Sequence, residues 1–320
     1  MLKKTQFVFA IALGLGTVAS AADLNPADLL NRGRTDEAIR TLNQQVSNSQ
    51  SAESYHLLCR AYYSVEDFDN AIKNGERAVQ LSPSNANYQL WLGRAYGLKA
   101  EQANALSAFS LARKTVASFE KSVQLNPSDW HARRDLAEYY VEAPAIVGGG
   151  KDKARKLADS VASSDPATAA WIRAIIAMQD KQPSEAENHF KAAISASGNS
   201  ASMWLELARF YRRQQRWSEF EATMQQALNA NKKGPTDLFD AGEMLIRANR
   251  NLPLGIQTLR KYLESGHTDE YGPAFKAHYL IGQGLEKQGN NREAQAEYKA
   301  ALSLASNFRP AQDALRKISG

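Results

Sequence analysis

The chain has 320 residues, of which 39 are Lys or Arg and 34 are Asp or Glu, with 43% apolar residues, 19 glycines, 10 prolines and one cysteine. That balance excludes a collagen, a simple disordered chain and a disulfide-stapled scaffold. A formal charge of +5 is too modest to point to nucleic acid.

The first 21 residues read as a secretory signal peptide, 1–21, with Lys3 and Lys4, an apolar run from Phe7 to Val18 and the small-x-small cleavage site Ala19-Ser20-Ala21. The run is shorter than the roughly 20 residues a spanning helix needs, and no cysteine stands at the cleavage point to take a lipid. Cleavage would remove two lysines and no acid, so the mature chain, from about Ala22, would keep a mildly basic balance. The expected location is the bacterial periplasm or the exterior, with no membrane span left after cleavage. Cys59 has no partner for an internal bridge and reads as a small buried hydrophobe.

From Ala52 to Asn85, the residues Tyr55, Leu58, Cys59, Tyr62, Ala71, Ala78 and Pro83 fall at positions 4, 7, 8, 11, 20, 27 and 32. Large residues at 4, 7 and 11 share one face of a first helix, small residues at 8 and 20 let a second helix approach, and Pro83 ends that second helix. The frame recurs at Leu92, Gly93, Tyr96, Phe119 and Pro127, and again at Leu136, Ala137, Tyr140, Ala154, Ala158 and Pro166. Ala174, Ala186, Phe190 and Ala193 mark a further unit, as do Trp204, Leu207, Ala208, Tyr211, Met224 and Ala227. A weaker unit holds Phe239, Ile246, Leu259 and Tyr262, with Gly242 and Glu243 in place of the usual pair, and His278, Ile281, Gly282, Ala294, Tyr298 and Ala301 restore the pattern.

This spacing resembles the tetratricopeptide repeat, a helix-turn-helix unit of roughly 34 residues. The resemblance implies an all-α, right-handed superhelical solenoid in which each unit buries its apolar face against its neighbours. Residues 22–51 form a truncated first unit with Leu30, Gly33, Ala38, Ile39 and Leu42; residues 52–308 form about seven more; and 309–320 form a C-terminal capping helix. In that helix Leu315 and Ile318 either cap the stack or dock to another copy. Pro235 and the Glu270 to Pro273 segment are candidate joints, too short for flexible linkers.

Two insertions, at 97–113 and 143–150, enlarge neighbouring units. From Tyr96 to Pro127 the chain is about ten residues longer than the frame requires, and Leu106, Phe109, Val116, Phe119 and Val123 continue a helical pattern. At about 1.5 Å per residue, the second helix would overhang its neighbours by about 15 Å. The second insertion is the loop Ala143-Pro144-Ala145-Ile146-Val147-Gly148-Gly149-Gly150. Both turns belong to one edge of a solenoid, so Ile146 and Val147 are expected to cover Leu106 and Phe109. The other reading makes this edge a recognition feature. Gly148, Gly149 and Gly150 lack the Lys-Ser or Lys-Thr ending of a nucleotide-binding loop.

The resemblance also implies which positions of each first helix line the inner groove. They are His56, Arg60 and Tyr63, then Arg94, then His131, Arg134 and Glu138, then Trp171, then Arg209, Arg212 and Arg213, then Asp237, Asp240 and Arg247. Guanidinium groups form paired hydrogen bonds to carboxylates, so this row suits an acidic segment or a chain terminus. Arg60 and Arg94 stand where the asparagines of a chaperone-tail clamp would be expected, which argues against that clamp. The competing reading pairs these arginines with nearby acids such as Glu53 and Glu138.

No enzyme signature emerges. His56, His131, His189, His267 and His278 have no metal-ligand spacing, and the nucleophile-elbow, zinc-protease and dinucleotide patterns are absent from the sequence. Acid pairs such as Asp36-Glu37, or Glu185 with Glu187, suit helix starts and solvated faces. Trp91, Trp130, Trp171, Trp204 and Trp217 fall on or next to packing positions. The expectation is a non-catalytic protein-binding scaffold of the cell envelope, without cofactor or metal. It would take an extended or helical partner in its groove or on its inserted edge. Alternatives are a homo-oligomeric structural element, an envelope enzyme and a glycan binder.

Overall fold

The computed structural model describes residues 25–230, 234, 236–266, 268 and 271–319. The expected signal peptide, the joint residues Pro235 and Glu270, and His267 lie outside the described residues. Seventeen α-helices follow one another and no strand occurs among the described residues. They are α1 (Pro26–Asn31), α2 (Thr35–Asn48), α3 (Ala52–Ser64), α4 (Phe68–Leu81), α5 (Ala86–Gln102), α6 (Ala105–Leu125), α7 (Trp130–Glu142) and α8 (Lys151–Val161). Then come α9 (Pro166–Gln179), α10 (Pro183–Ala196), α11 (Ala201–Arg213), α12 (Trp217–Asn229), α13 (Thr236–Ala248), α14 (Leu252–Glu264), α15 (Ala274–Lys287), α16 (Asn291–Leu304) and α17 (Arg309–Ser319). The fold is an all-α helical repeat.

Local chemistry sets the helix boundaries. Ser51, Asp67, Asn85, Asn104, Asp129, Asp165 and Ser200 each accept a hydrogen bond from a first-turn backbone amide. Pro26, Pro166 and Pro183 occupy the first helical turn, where a missing amide hydrogen costs nothing. Within several pairs the turn between helices passes through a left-handed residue: Gly33, Glu66, Lys181, Gln215, Asn249 and Gly289 all have positive φ. For the non-glycine members this conformation costs about 1 kcal/mol, which the packing of the two flanking helices must offset.

Small residues govern how closely paired helices approach. Cys59, Ala71, Ala78, Ala137, Ala154, Ala186, Ala208 and Ala294 have no measurable exposure. A methyl group on Gly93 would lie 2.7 Å from the Phe119 ring, so only glycine lets α5 and α6 pack as they do. The principal apolar core runs from Leu90 to Leu245, and a second joins Phe239, Leu259, Tyr262, Ile281 and Tyr298. Leu315 and Ile318 pack on that second core, so α17 caps the stack.

The two ends of the stack meet. Val65, after α3, is buried in a cluster with Phe275, Ala301, Ala305, Phe308 and Ala311. The Ser306 amide donates to Asp36 Oδ2 at 2.8 Å, the Thr268 hydroxyl donates to the Asn31 carbonyl, and a methyl on Gly33 would lie 2.7 Å from the Ala274 nitrogen. The segment leading into α15 is thereby held against the opening helices, and Tyr271 points inward from it toward Trp91 and His131.

Candidate functional site

The inner face divides into a covered part and an open part. In the covered part His56 is buried, stacks on Tyr88 at 4.5 Å and lies 3.3 Å from the Asn87 side-chain nitrogen. Burial, aided by the Arg60 charge, pushes its pKa down to about 3, so the ring is neutral at physiological pH. Arg60 and Arg94 lie 5.6 and 4.8 Å from the Trp91 ring centre, and Tyr63 meets that ring edge-on at 5.3 Å. Arg94 Nε also donates to Asp135 at 2.5 Å. Over this group sits Tyr271, stacked on His131 with 4.6 Å between centres and 15° between planes, and 5.2 Å from the Arg94 guanidinium. His56, Arg60, Tyr63, Arg94 and His131 therefore form one aromatic and cationic cluster, closed by a residue from near the far end of the chain.

Further along, Arg134 joins Glu206 at 2.8 Å and Glu138 at 3.3 Å, and lies 5.6 Å from the Trp171 ring. Glu206 is buried; burial works against its charge, but Arg134 and Arg209 outweigh that and hold its pKa below the usual range. Burial raises Glu138 against the pull of Arg134, and pushes Asp240 up to about 7 despite Arg209. Trp171, placed by its spacing on the inner row, is wholly buried in the core and unavailable to a ligand.

Past Glu206 the face opens into a cavity of about 190 Å³. Val141, Ile175, Met178 and Phe210 form its apolar floor, and Glu142, Arg209 and Arg213 stand among its polar lining. Arg209 is 3.5 Å from Glu206, whereas Arg213, 54% exposed, reaches Glu142 only at 3.9 Å. Arg212 makes no ion pair among the described residues; burial and the charges of Arg209, Arg213 and Arg247 lower its pKa. Arg247 is held by Glu243 at 2.7 Å, and Asp237 and Asp240 are half-buried on α13. Three carboxylates, of Glu138, Glu142 and Glu206, and two guanidinium groups, of Arg209 and Arg213, line this apolar floor.

On the inserted edge the extra length is shared rather than confined to one helix. α5 has 17 residues against 13 in α3, and α6 has 21 against 14 in α4, so both helices extend as a hairpin closed at Ala103 and Asn104. A single-helix overhang would have left one side without a partner; a hairpin lets Gly97 and Thr115 pack within the extension. The loop after α7 forms a 3-10 turn at Ala145–Val147 after Pro144. Val147 is buried, but Ile146, Leu106 and Phe109 are 75%, 83% and 39% exposed, so the expected cover over Leu106 and Phe109 is not made. The amides of Gly148, Gly149 and Gly150 donate to the carbonyls of Ala145, Pro144 and Tyr140, which leaves no amide cradle for an anion.

Among the described residues no group of three or more His, Cys, Asp or Glu is placed to hold a metal ion, and no helix is long and apolar enough to cross a membrane. The Cys59 thiol is buried and its pKa is pushed up to about 12, which makes it unreactive. Sequence patterning missed Tyr271, Asp135 and Glu206, the residues that neutralise or cover the predicted arginines. Tyr271 lies outside any periodic segment, whereas Glu206 shares a turn with Arg209 and was readable as its partner.

Models of the tetratricopeptide repeat match residues 56–118, 177–237 and 275–308. No curated protein matches the chain. Among solved structures, a thermophilic tetratricopeptide-repeat protein of Thermus thermophilus is 17% identical with a TM-score of 0.46, over 58% of this chain and 96% of that one. A chain of the Cut9–Hcn1 hetero-tetramer of the APC/C is 15% identical with a TM-score of 0.42, over 92% of this chain and 55% of that one. YrrB, described as having an unusual peptide-binding site, is 14% identical with a TM-score of 0.35, over 76% of this chain and 97% of that one.

Proposed function

Because the chain is a tetratricopeptide-repeat protein, we propose that it is a non-catalytic scaffold of the cell envelope that captures an extended or helical partner segment on the open part of its inner face. Tetratricopeptide repeats are a protein–protein interaction scaffold, and their proteins are generally non-catalytic. The observation that carries the reading is the apolar cavity at Val141, Ile175 and Met178, whose lining includes the solvent-facing Arg213. A bulky apolar side chain of the partner enters the cavity, and an acidic group flanking it meets Arg213. The stacked helices hold these groups in place before the partner arrives, which lowers the ordering cost of binding. The signal-like segment at 1–21 supports the envelope assignment, and cell fractionation checks it.

An array of peptides carrying Leu, Met or Phe between acidic residues tests the site by fluorescence anisotropy. The variant Arg213→Glu is expected to lose at least about tenfold in affinity while its melting curve stays in place. Equal affinity in the variant, or a preference for basic peptides, would reject the reading.

A further inference from the structure

Four large apolar side chains are exposed among the described residues, Leu81, Leu106, Phe109 and Ile146, and three of them lie on the inserted edge. Leu106, Phe109, Arg113 and Val116 follow one another at three, four and three residues, on one face of α6. The loop covers the base of this face only. A methyl on Gly148 would lie 2.9 Å from Val116, and the Tyr139 hydroxyl lies 2.7 and 2.8 Å from the carbonyl oxygens of Ala112 and Val147. The 3-10 turn is thus fixed beside Ala112, while Phe109 and Leu106, one and two turns further out, stand in water.

Cations outnumber acids around this edge, with Lys99, Arg113, Lys114, Lys151, Lys153, Arg155 and Lys156 against Glu101, Glu120, Glu142 and Asp152. No acid occurs from Gln102 to Phe119 or from Ala143 to Lys151, whereas Arg113, Lys114 and Lys151 fall inside those stretches and Lys153, Arg155 and Lys156 follow. Glu76 takes Lys114, Glu120 takes Lys153, and Asp180 takes Lys151 and Arg155. Arg113 and Lys156 are exposed and make no ion pair among the described residues.

We infer that this edge docks on an anionic phospholipid surface, with Leu106, Phe109 and Ile146 entering the headgroup boundary and Arg113 with the neighbouring lysines meeting the phosphates. A second copy fits less well. A symmetric pair would set one basic rim against another, and three side chains fall far short of the roughly 800 Å² per partner of a stable interface. The apolar side chains project from a hairpin tip and a turn, so a fluid boundary accepts each of them separately. Lipid docking is independent of the inner-face cavity: it uses neither Arg212 nor Arg213.

The test uses the full-length protein with an environment-sensitive fluorophore on Ile146→Cys, the native thiol being buried. On vesicles of equal phosphatidylglycerol and phosphatidylcholine the label should shift to the blue and brighten at least about twofold, with little change on phosphatidylcholine alone. The same label on Leu81→Cys should not respond, which separates edge docking from binding through residues 1–21. Adding Leu106→Ser, Phe109→Ser and Arg113→Glu should abolish the Ile146 response without moving the melting curve. An unchanged label on anionic vesicles, an equal response at Leu81, or a response that survives the added substitutions would overturn the inference. So would self-association without lipid, seen by sedimentation velocity and lost with those substitutions, which would assign the face to a second copy.

Discussion

The covered and open parts of the inner face are both rich in arginine and put it to opposite uses. Arg94 and Arg134 are 12% and 22% exposed and bound to Asp135 and Glu206, with aromatic rings against their planes. Arg212 and Arg213 close the last turn of α11, where Arg212 makes no ion pair among the described residues and Arg213 reaches Glu142 only at 3.9 Å. The difference lies in what arrives from elsewhere in the chain: an acid from the first helix two units on in the case of Arg134, and a tyrosine from across the stack in the case of Arg94. A row of guanidinium groups is thus masked wherever the rest of the fold supplies acids and rings to neutralise it.

Three experiments break or sharpen this contrast. The largest effect belongs to Arg134→Ala, which strands the buried Glu206 carboxylate with weaker compensation and should cost about 3 kcal/mol in chemical denaturation. Arg212→Ala, by contrast, should stay within about 0.5 kcal/mol of the parent. If the two variants melted alike, the division of the inner face would fail. Tyr271→Ala comes next, at about 1–2 kcal/mol, since it removes one stacked ring and its neighbouring cation contact. It should also expose Trp91, read as stronger quenching of tryptophan emission by acrylamide; unchanged quenching would mean that Tyr271 does not cover the cluster.

The smallest effect is a pH dependence. Burial raises Asp240 from its ordinary value of 3.8 to about 7, so the folded state holds a proton that the unfolded chain has released. The stability it contributes is fully present below 3.8 and is lost as pH rises through 7. Asp240→Asn should therefore gain on the parent between pH 4 and pH 8, by about 1 kcal/mol once solvent access from the groove is allowed for. Parallel stability curves over that range would show that Asp240 does not titrate there.

Much of the fold was legible because helix pairing is local. Large residues at 4, 7 and 11 and small ones at 8 and 20 can be read within one unit, and Cys59 and Ala71 are buried as that pattern requires. The turn conformations were less legible, since Glu66, Lys181 and Gln215 adopt a left-handed backbone that their side chains do not favour and that only the flanking helices impose. The inserted hairpin was visible as extra length, but length alone does not say how a surplus divides between α5 and α6. For the inner face, the sequence marked the arginines and missed their masking, because Tyr271 meets His131 only after several intervening units have curved the stack.

The meeting of the two ends also limits how this array can change. A linear repeat stack holds mostly neighbour contacts, so its terminal units fray first and a unit can be gained or lost at modest cost. Here Thr268 bonds to Asn31 across 237 positions and Ser306 to Asp36 across 270, so neither terminus is free to unravel without parting from the other. Such distant pairings slow folding, since loop closure must precede the contacts that reward it. They also set the number of units: inserting or deleting one would rotate the last pair away from Val65, and the array would no longer close.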